Sequence, residues 1–240
     1  AEDVGEGDHT SMACIRSTRV SKAKLLIKDD GIISGVDVAK KIFKEVAAAA
    51  DFEKLISDGS VVKPGDVAFY VTCPTRALLM AERLVLNTMQ RMSGIATIAS
   101  LYLQEIEGLP VKILDTRKTT PGMRFLEKQA VVHGGCHNYR AGLYDWIMIK
   151  DNHVEACGDI ALAIDRVHEY LQKTQKDLSI TIEVRNLVEL QKVLDHGGVT
   201  RIMMDNFEIP ILKEAVAMVN KRFETEASGG IDLHNVRAYA

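Results

Sequence analysis

The chain has 240 residues, of which 47% are hydrophobic and 26% charged, and its formal net charge is −3. That length and apolar content suffice for one large domain, or for a small domain joined to a larger one, each with a real core. The acidic balance, a pI near 6.2 and an aromatic share of only 5% exclude a general nucleic-acid surface, and no apolar run reaches the roughly 18 to 20 residues of a membrane span. Cys14, Cys73, Cys136 and Cys157 lie far apart without metal-ligand spacing, which predicts free thiols in a reducing cytoplasm.

The first 74 residues hold β-like runs at 24–27 and 67–71 around an Ala-rich helical pattern from Val36 to Ala50. His9, in Gly-Asp-His-Thr, reads as a capping or turn residue, and Lys40, Lys41 and Lys44 as a solvated helix face. From Pro74 a long helical pattern runs to Ile106, with a break expected near Ser93 and Gly94 and a stop at Gly108 and Pro110. Met80, Met89 and Met92 recur at helical spacing and belong to a core or a dimer interface. The middle of this helix is the expected hinge. It separates an N-terminal α+β, sandwich-like domain at 1–92 from a larger domain at 93–240.

Beyond Val111 the pattern alternates. β-like runs at 111–114, 147–150, 179–184, 201–204 and, less clearly, 223–227 are interleaved with helical patterns at 159–173, 186–195 and 209–221, with another from Asp232. Repeated βα units predict an α/β fold with a parallel sheet, open or closed into a barrel. The carboxyl ends of these runs carry, in order, Asp115 with Arg117 and Lys118, then Lys150 with Asp151, Glu183, Asp205 with Asn206, and Ser228-Gly229-Gly230. In a β/α barrel such ends converge on the face where ligands bind.

Their chemistry is that of an anion site. Arg117, Lys118, Arg124, Lys128, Arg140 and Lys150 concentrate positive charge within about forty residues of an acidic chain. Glu183 and Asp205, hard carboxylates without neighbouring His or Cys, suit Mg²⁺ shared with substrate phosphates. Ser228-Gly229-Gly230 before a predicted helix start suits a phosphate. Together these features suggest a phosphorylated sugar bearing a magnesium-bound pyrophosphate.

Several segments carry a resemblance: GDHTS (7–11), AERLVLNTMQRMSGIAT (81–97), ILDTRKTTPGMR (113–124), LEKQAV (126–131), NYRAGLYDWIMIKDNH (138–153), IEVRNL (182–187), MMDNF (203–207) and EASGGI (226–231). They stand in the order found in the quinolinate phosphoribosyltransferase family, which the chain resembles over nearly its whole length. The resemblance implies a type II phosphoribosyltransferase-like fold and transfer from 5-phosphoribosyl-1-pyrophosphate to quinolinate, with loss of pyrophosphate and CO₂. It implies that Arg117, Tyr139 and Arg140 hold the quinolinate carboxylates, that Lys118 and Lys150 contact the substrates, and that Lys118, Glu183 and Asp205 serve catalysis. Glu183 and Asp205 would also hold Mg²⁺, Ser228, Gly229 and Gly230 the sugar 5′-phosphate, and Arg83 would reach the partner's site in a homodimer.

The chain departs from the family pattern at Cys136, where a glycine is usual, and at Tyr139, where a histidine is usual. Tyr139 can donate a hydrogen bond but carries no positive charge; His137 is a candidate to compensate. Relative to the family the usual first helix is lacking at Ala1, and the last βα unit is expected to be missing after Ala240, which predicts an incomplete, open barrel. Two rival readings stay open, a related phosphoribosyltransferase with another acceptor and a non-catalytic binding descendant.

Overall fold

The computed structural model describes residues 3–240, so the expectation attached to Ala1 lies outside the described residues. The chain divides into two compact units between Tyr139 and Arg140.

The first unit opens with α1 (His9–Cys14), capped by Asp8, whose carboxylate accepts from the Ser11 amide at 3.0 Å. The cap is therefore Asp8, and His9 is the first helical residue. β1 (Val20–Leu26), β3 (Asp51–Lys54) and β5 (Val67–Pro74) form an antiparallel sheet in the order β1-β5-β3. A two-stranded ribbon pairs β2 (Gly31–Ile32) with β4 (Val61–Val62). α2 (Val36–Val46) buries Val36, Ala39 and Phe43 and leaves Lys40, Lys41 and Lys44 in water. Phe43, Phe52 and Phe69 cluster with centroids 4.5 to 6.3 Å apart, a geometry worth about 0.5–1.5 kcal/mol per pair beyond area burial.

α3 (Thr75–Glu105) runs unbroken through Ser93 and Gly94, contrary to the expected interruption. A helical glycine costs only about 1 kcal/mol against alanine. The stripe of Ala81, Val85, Met89, Met92, Ala96 and Ala99, spaced by three or four residues, buries enough apolar surface to outweigh it. Ser93 is also held from outside the helix: its hydroxyl accepts from the Ser34 amide at 2.9 Å and donates to the Ser34 carbonyl at 3.1 Å. Met89 and Met92 are core residues, and Met80 is half-buried.

After α3, residues 111–114 form no strand. Leu114 makes a single parallel bridge to His137, with Ile113 and Asp115 exchanging backbone bonds with His137. With one partner and one bridge the run cannot build a ladder, whatever its β propensity. α4 (Arg124–His133) follows and ends at Gly134, where a Cβ would come within 2.4 Å of the Ala96 carbonyl oxygen and 2.6 Å of the Ala99 Cβ, so glycine is required for α4 to end against α3. Cys136 is buried and its thiol donates to the Ala99 carbonyl at 3.2 Å, while burial pushes its pKa up. His137 engages its neighbours by backbone bonds, and its side chain is exposed.

The second unit is a four-stranded parallel sheet, β6-β7-β8-β9, from β6 (Ile147–Ile149), β7 (Ile180–Val184), β8 (Arg201–Asp205) and β9 (Glu224–Ser228). α5 (Asp151–Cys157) and α6 (Ile160–Thr174), then α7 (Leu187–His196) and α8 (Ile209–Val219), make the crossovers. This mixed α/β arrangement is a partial β/α barrel. Asp159 and Asn186 cap α6 and α7 by accepting from Leu162 and Glu189 amides, contacts worth about 1 kcal/mol each. Ile180, Ile182, Val184, Ile202 and Met204 form one core with Ile164 of α6, Leu190 and Val193 of α7 and Leu212 and Val219 of α8. The pattern expected to start a helix at Asp232 is first a turn, in which Asp232 accepts from the His234 and Asn235 amides; α9 (Val236–Tyr239) begins only afterwards.

Candidate active site

Because side chains alternate across a strand, the residues between those core positions share the other face of the parallel sheet. The register aligns Thr181 with Arg201 and Glu224, Glu183 with Met203 and Glu226, and Asp205 with Ser228. One face is thus apolar and covered by helices, and the other carries ionic and hydroxyl groups around the buried Met203.

Lys150 follows β6 as the N-cap of α5 and forms an ion pair with Glu183, whose side chain is 9% exposed. The Lys150 amide donates to His153 Nδ1 at 2.9 Å, so the imidazole of the Lys-Asp-Asn-His segment orients this loop. Asp205 accepts from the Asn206 side-chain amide at 2.6 Å. Asn206, in the left-handed region at φ 56°, sends its own amide to the Ser228 carbonyl at 2.8 Å. Gly229 (φ 94°) packs against this turn so closely that a Cβ would come within 2.2 Å of Asn206 Oδ1. Gly230 (φ 65°) completes the exposed backbone bend, and its carbonyl accepts from Asn235 Nδ2 at 2.9 Å. Lys150, Glu183, Asp205 and Ser228 to Gly230 therefore share one edge of one sheet.

Sequence reasoning missed a group of residues on this face centred on Arg201. Arg201 reaches Glu224 at 2.8 Å and Glu226 at 3.2 Å, and lies over the Trp146 ring at 5.2 Å. Trp146 Nε1 donates to Thr181 Oγ1 at 2.9 Å. Burial raises the Glu226 pKa, opposed by Arg201 and then by Lys150. A period-two count back from Ser228 and Asp205 would have found Glu226 and Arg201.

In the first unit the Arg117 loop is held at both ends. Asp115 and Lys128 form an ion pair in which both side chains are 7% exposed. Asp115 also accepts the Tyr139 amide at 2.8 Å, and Lys128 donates to the Tyr139 carbonyl at 3.3 Å. The Asn138 side chain, with its nitrogen turned toward them, donates to Asp115 Oδ2 at 2.6 Å and to the Lys128 carbonyl at 2.9 Å. At the far end the Thr120 amide donates to Glu127 at 3.1 Å. Burial works to raise the Glu127 pKa, but hydrogen bonds from Arg91 and Thr120 prevail and hold it below the usual carboxylate range.

Between these anchors Arg117 is half-buried, and its Nε is a buried donor without a hydrogen-bond partner. A buried unsatisfied guanidinium nitrogen costs free energy unless a ligand completes it. Lys118 is exposed, with its amide donating to Thr116 Oγ1 at 3.0 Å, and Arg124 Nε donates to Thr119 Oγ1 at 3.0 Å. Tyr139 is half-buried beside Asp115, Arg140 is half-buried at the start of the second unit, and Arg83 is exposed on α3. A mostly apolar cavity of about 530 Å³ in the first unit is lined in part by Ile95, Ile98, Ile113 and Cys136 and touches the predicted face only at Asp115; Arg117, Lys118 and Tyr139 do not line it.

For a divalent metal the donor set is open. Among the described residues no three His, Cys, Asp or Glu side chains converge. Glu183 and Asp205 on neighbouring strands fit Mg²⁺ only as a two-carboxylate platform whose remaining ligands come from phosphates and water.

Comparisons with known proteins identify the family. The description "Quinolinate phosphoribosyl transferase, N-terminal domain" matches residues 8–93, and its C-terminal counterpart matches residues 95–240. The chain is 41% identical to "Quinolinate phosphoribosyltransferase [decarboxylating] 1" of Nicotiana glauca, over 98% of this chain and 71% of that protein. It is 37% identical to "Probable nicotinate-nucleotide pyrophosphorylase [carboxylating]" of Bacillus subtilis (strain 168), over 99% and 81%. NadC from Streptococcus pyogenes superposes with a TM-score of 0.93 at 32% identity, covering 99% of this chain and 83% of that one. The nicotinate-nucleotide pyrophosphorylase of Ehrlichia chaffeensis gives 0.91 at 34%, covering 100% and 85%. A polar face on a partial barrel, a cation-bearing loop with an unsatisfied arginine and these matches over nearly every residue lead to one conclusion: the chain belongs to the quinolinate phosphoribosyltransferase family.

Proposed function

We propose that this chain transfers the phosphoribosyl group of 5-phosphoribosyl-1-pyrophosphate to quinolinate with decarboxylation, giving nicotinate mononucleotide, pyrophosphate and CO₂ for NAD synthesis. The observation that carries the reading on this chain's own residues is the buried, partnerless Nε of Arg117 in a loop that also presents Lys118. A dicarboxylate supplies acceptors for such a donor, and guanidinium geometry favours bidentate binding. Arg140 and Tyr139 are assigned to the same acceptor, Tyr139 as a neutral donor.

The pyridine nitrogen attacks ribose C1, the bond from C1 to the pyrophosphate oxygen breaks, and pyrophosphate leaves with that electron pair. The transition state carries oxocarbenium-like positive charge, which Glu183 and Asp205 stabilise from the sheet edge. Lys150 holds Glu183 in place, and Lys118 and Lys150 offset substrate charge. Ser228 and the exposed backbone of Gly229 and Gly230 receive the 5′-phosphate. Loss of CO₂ then leaves an electron pair on the ring carbon beside the cationic ring nitrogen, and a proton takes its place. Mg²⁺ on Glu183 and Asp205, when bound, neutralises the pyrophosphate.

The assembly proposed is a homodimer in which Arg83 reaches the partner's site. The thiols of Cys14, Cys73, Cys136 and Cys157 are free, which supports a reducing compartment such as the cytoplasm, and no helix among the described residues is long and apolar enough to cross a membrane. The test is an assay of quinolinate plus 5-phosphoribosyl-1-pyrophosphate, with Mg²⁺ and with excess chelator, following CO₂ and nicotinate mononucleotide. Metal-dependent appearance of both products in equal amounts is expected. Pyrophosphate release without CO₂ would instead assign a different acceptor.

A further inference from the structure

Among the described residues Glu127 and Lys128 are the most deeply buried charged residues, each 6% exposed, and they are adjacent on α4. They face opposite ends of one short loop. Lys128 pairs with Asp115, two residues before Arg117, and Glu127 accepts the amide of Thr120, two residues after Lys118. A third group closes the arrangement. Arg91 of α3 donates from Nε to Glu127 at 2.9 Å and from its terminal nitrogen to Glu127 and to Thr120 Oγ1, both at 2.7 Å.

Buried ion pairs are a poor way to gain stability, because desolvation consumes most of the attraction and well-packed apolar residues of the same volume often do as well. Their directionality is what an apolar contact cannot supply. Here each charge is spent on one end of the segment whose middle holds the unsatisfied Arg117 Nε. Without the anchors, residues 115–120 would be free to let that donor turn to water, which would relieve its burial in the unliganded protein and oppose anion binding.

We infer that Glu127, with Arg91 and Lys128, is a positioning residue set that holds the Arg117–Lys118 loop in its acceptor-binding conformation, so that it governs quinolinate affinity without touching quinolinate. The inference rests on the proposed reaction.

Its test is steady-state kinetics on the full chain carrying Glu127→Gln, Arg91→Lys or Thr120→Val. Glu127→Gln keeps the shape but loses the charge that orders Arg91, and the other two change exposed positions and leave the buried Lys128–Asp115 pair intact. The expected result is a rise in quinolinate KM of about tenfold for Glu127→Gln and about threefold for the other two, with the KM for 5-phosphoribosyl-1-pyrophosphate within about twofold of wild type. Isothermal calorimetry with quinolinate alone should give the same order. A merely structural role would lower the melting temperature and leave that KM ratio unmoved, and this result, in a wild-type protein that turns quinolinate over, would overturn the positioning role alone. Failure of the wild type to bind quinolinate would overturn the reaction as well. Should Glu127→Gln not fold, unchanged quinolinate KM in both exposed variants overturns the inference and the expected rise in both supports it.

Discussion

Arg117 concentrates the acceptor chemistry in one side chain. Its Nε is desolvated in the protein without ligand, so part of the cost of burying a charged donor is already present before binding and is recovered when an anion arrives. Arg117→Ala should therefore weaken quinolinate by about 2–3 kcal/mol, roughly 30- to 150-fold, and leave 5-phosphoribosyl-1-pyrophosphate affinity nearly unchanged. Calorimetry with each substrate separately checks this, and equal losses for both would remove Arg117 from the acceptor side. Glu127 makes a different statement, about pH. Burial alone would raise its pKa, but the bonds from Arg91 and Thr120 leave it depressed, so the folded state binds the proton less readily than the unfolded chain. Its stabilisation is complete above about pH 4.5 and is lost as pH falls through the lower folded value. Thermal melts of wild type and Glu127→Gln should differ most near neutrality and converge as pH falls below the usual carboxylate range. A constant gap across that range would mean that the carboxylate charge is not what stabilises the loop.

At the scale of elements, the contact of Asn206, just after β8, with Ser228 and Gly229 at the end of β9 is the tightest piece of the sheet edge. Gly229 sits at φ 94°, and a Cβ there would meet Asn206 Oδ1 at 2.2 Å and the Asn206 amide nitrogen at 2.9 Å, the latter backbone that cannot yield cheaply. Gly229→Ala should cost about 1–3 kcal/mol in stability and raise the KM for 5-phosphoribosyl-1-pyrophosphate more than that for quinolinate. Differential scanning calorimetry and initial rates measure the two parts. This edge was legible in the sequence at β7 and β8, short β-branched or apolar runs that carry Glu183 and Asp205 at or next to their ends with an amphipathic helical pattern between them, whereas β9 is mostly polar and was the less clear run. Other elements were not legible, for physical reasons. The run at 111–114 has strand-like residues but only one backbone partner, and pairing is a property of neighbours. α3 survives Ser93 and Gly94 because its own apolar stripe is buried and Ser34 holds Ser93 from outside the helix, and neither the burial nor the Ser34 contact is contained in a window of local propensity. α1 and α5, with six and seven residues, are too short to display a helical period. The anchors of the Arg117 loop were not legible: Lys128 reads as one more cation of the anion site, yet it is buried against Asp115, and only tertiary burial distinguishes it and Glu127 from the other charges.

For the whole molecule, the family domains meet at 93–95, inside α3, whereas the compact units part between Tyr139 and Arg140. The difference has a cause within the first unit. α3 is a single helix of 31 residues, about 46 Å long, and it packs against α2 through its first half and against α4 and Gly134 through its second. Residues 95–139 thus fold onto the helix they share with the N-terminal domain. Arg83 projects from the first half of α3 and is exposed there, next to exposed Glu82 and Leu84. If the homodimer proposed above is correct, each site takes Glu183 from one chain and Arg83 from the other, and two dead variants should repair one another. Arg83→Ala and Glu183→Gln, each inactive alone, would form mixed dimers in which one site combines both defects and the other has none. Random exchange of equal amounts puts half of all dimers in that mixed state, so about a quarter of wild-type activity should return. Native mass spectrometry reports whether the mixed dimers have formed, and the rate is read on the same sample. Mixed dimers that remain inactive would place Arg83 in its own chain's site or outside catalysis, whereas recovery near a quarter would make association a condition of activity, so that specific activity should fall on dilution below the dimer dissociation constant.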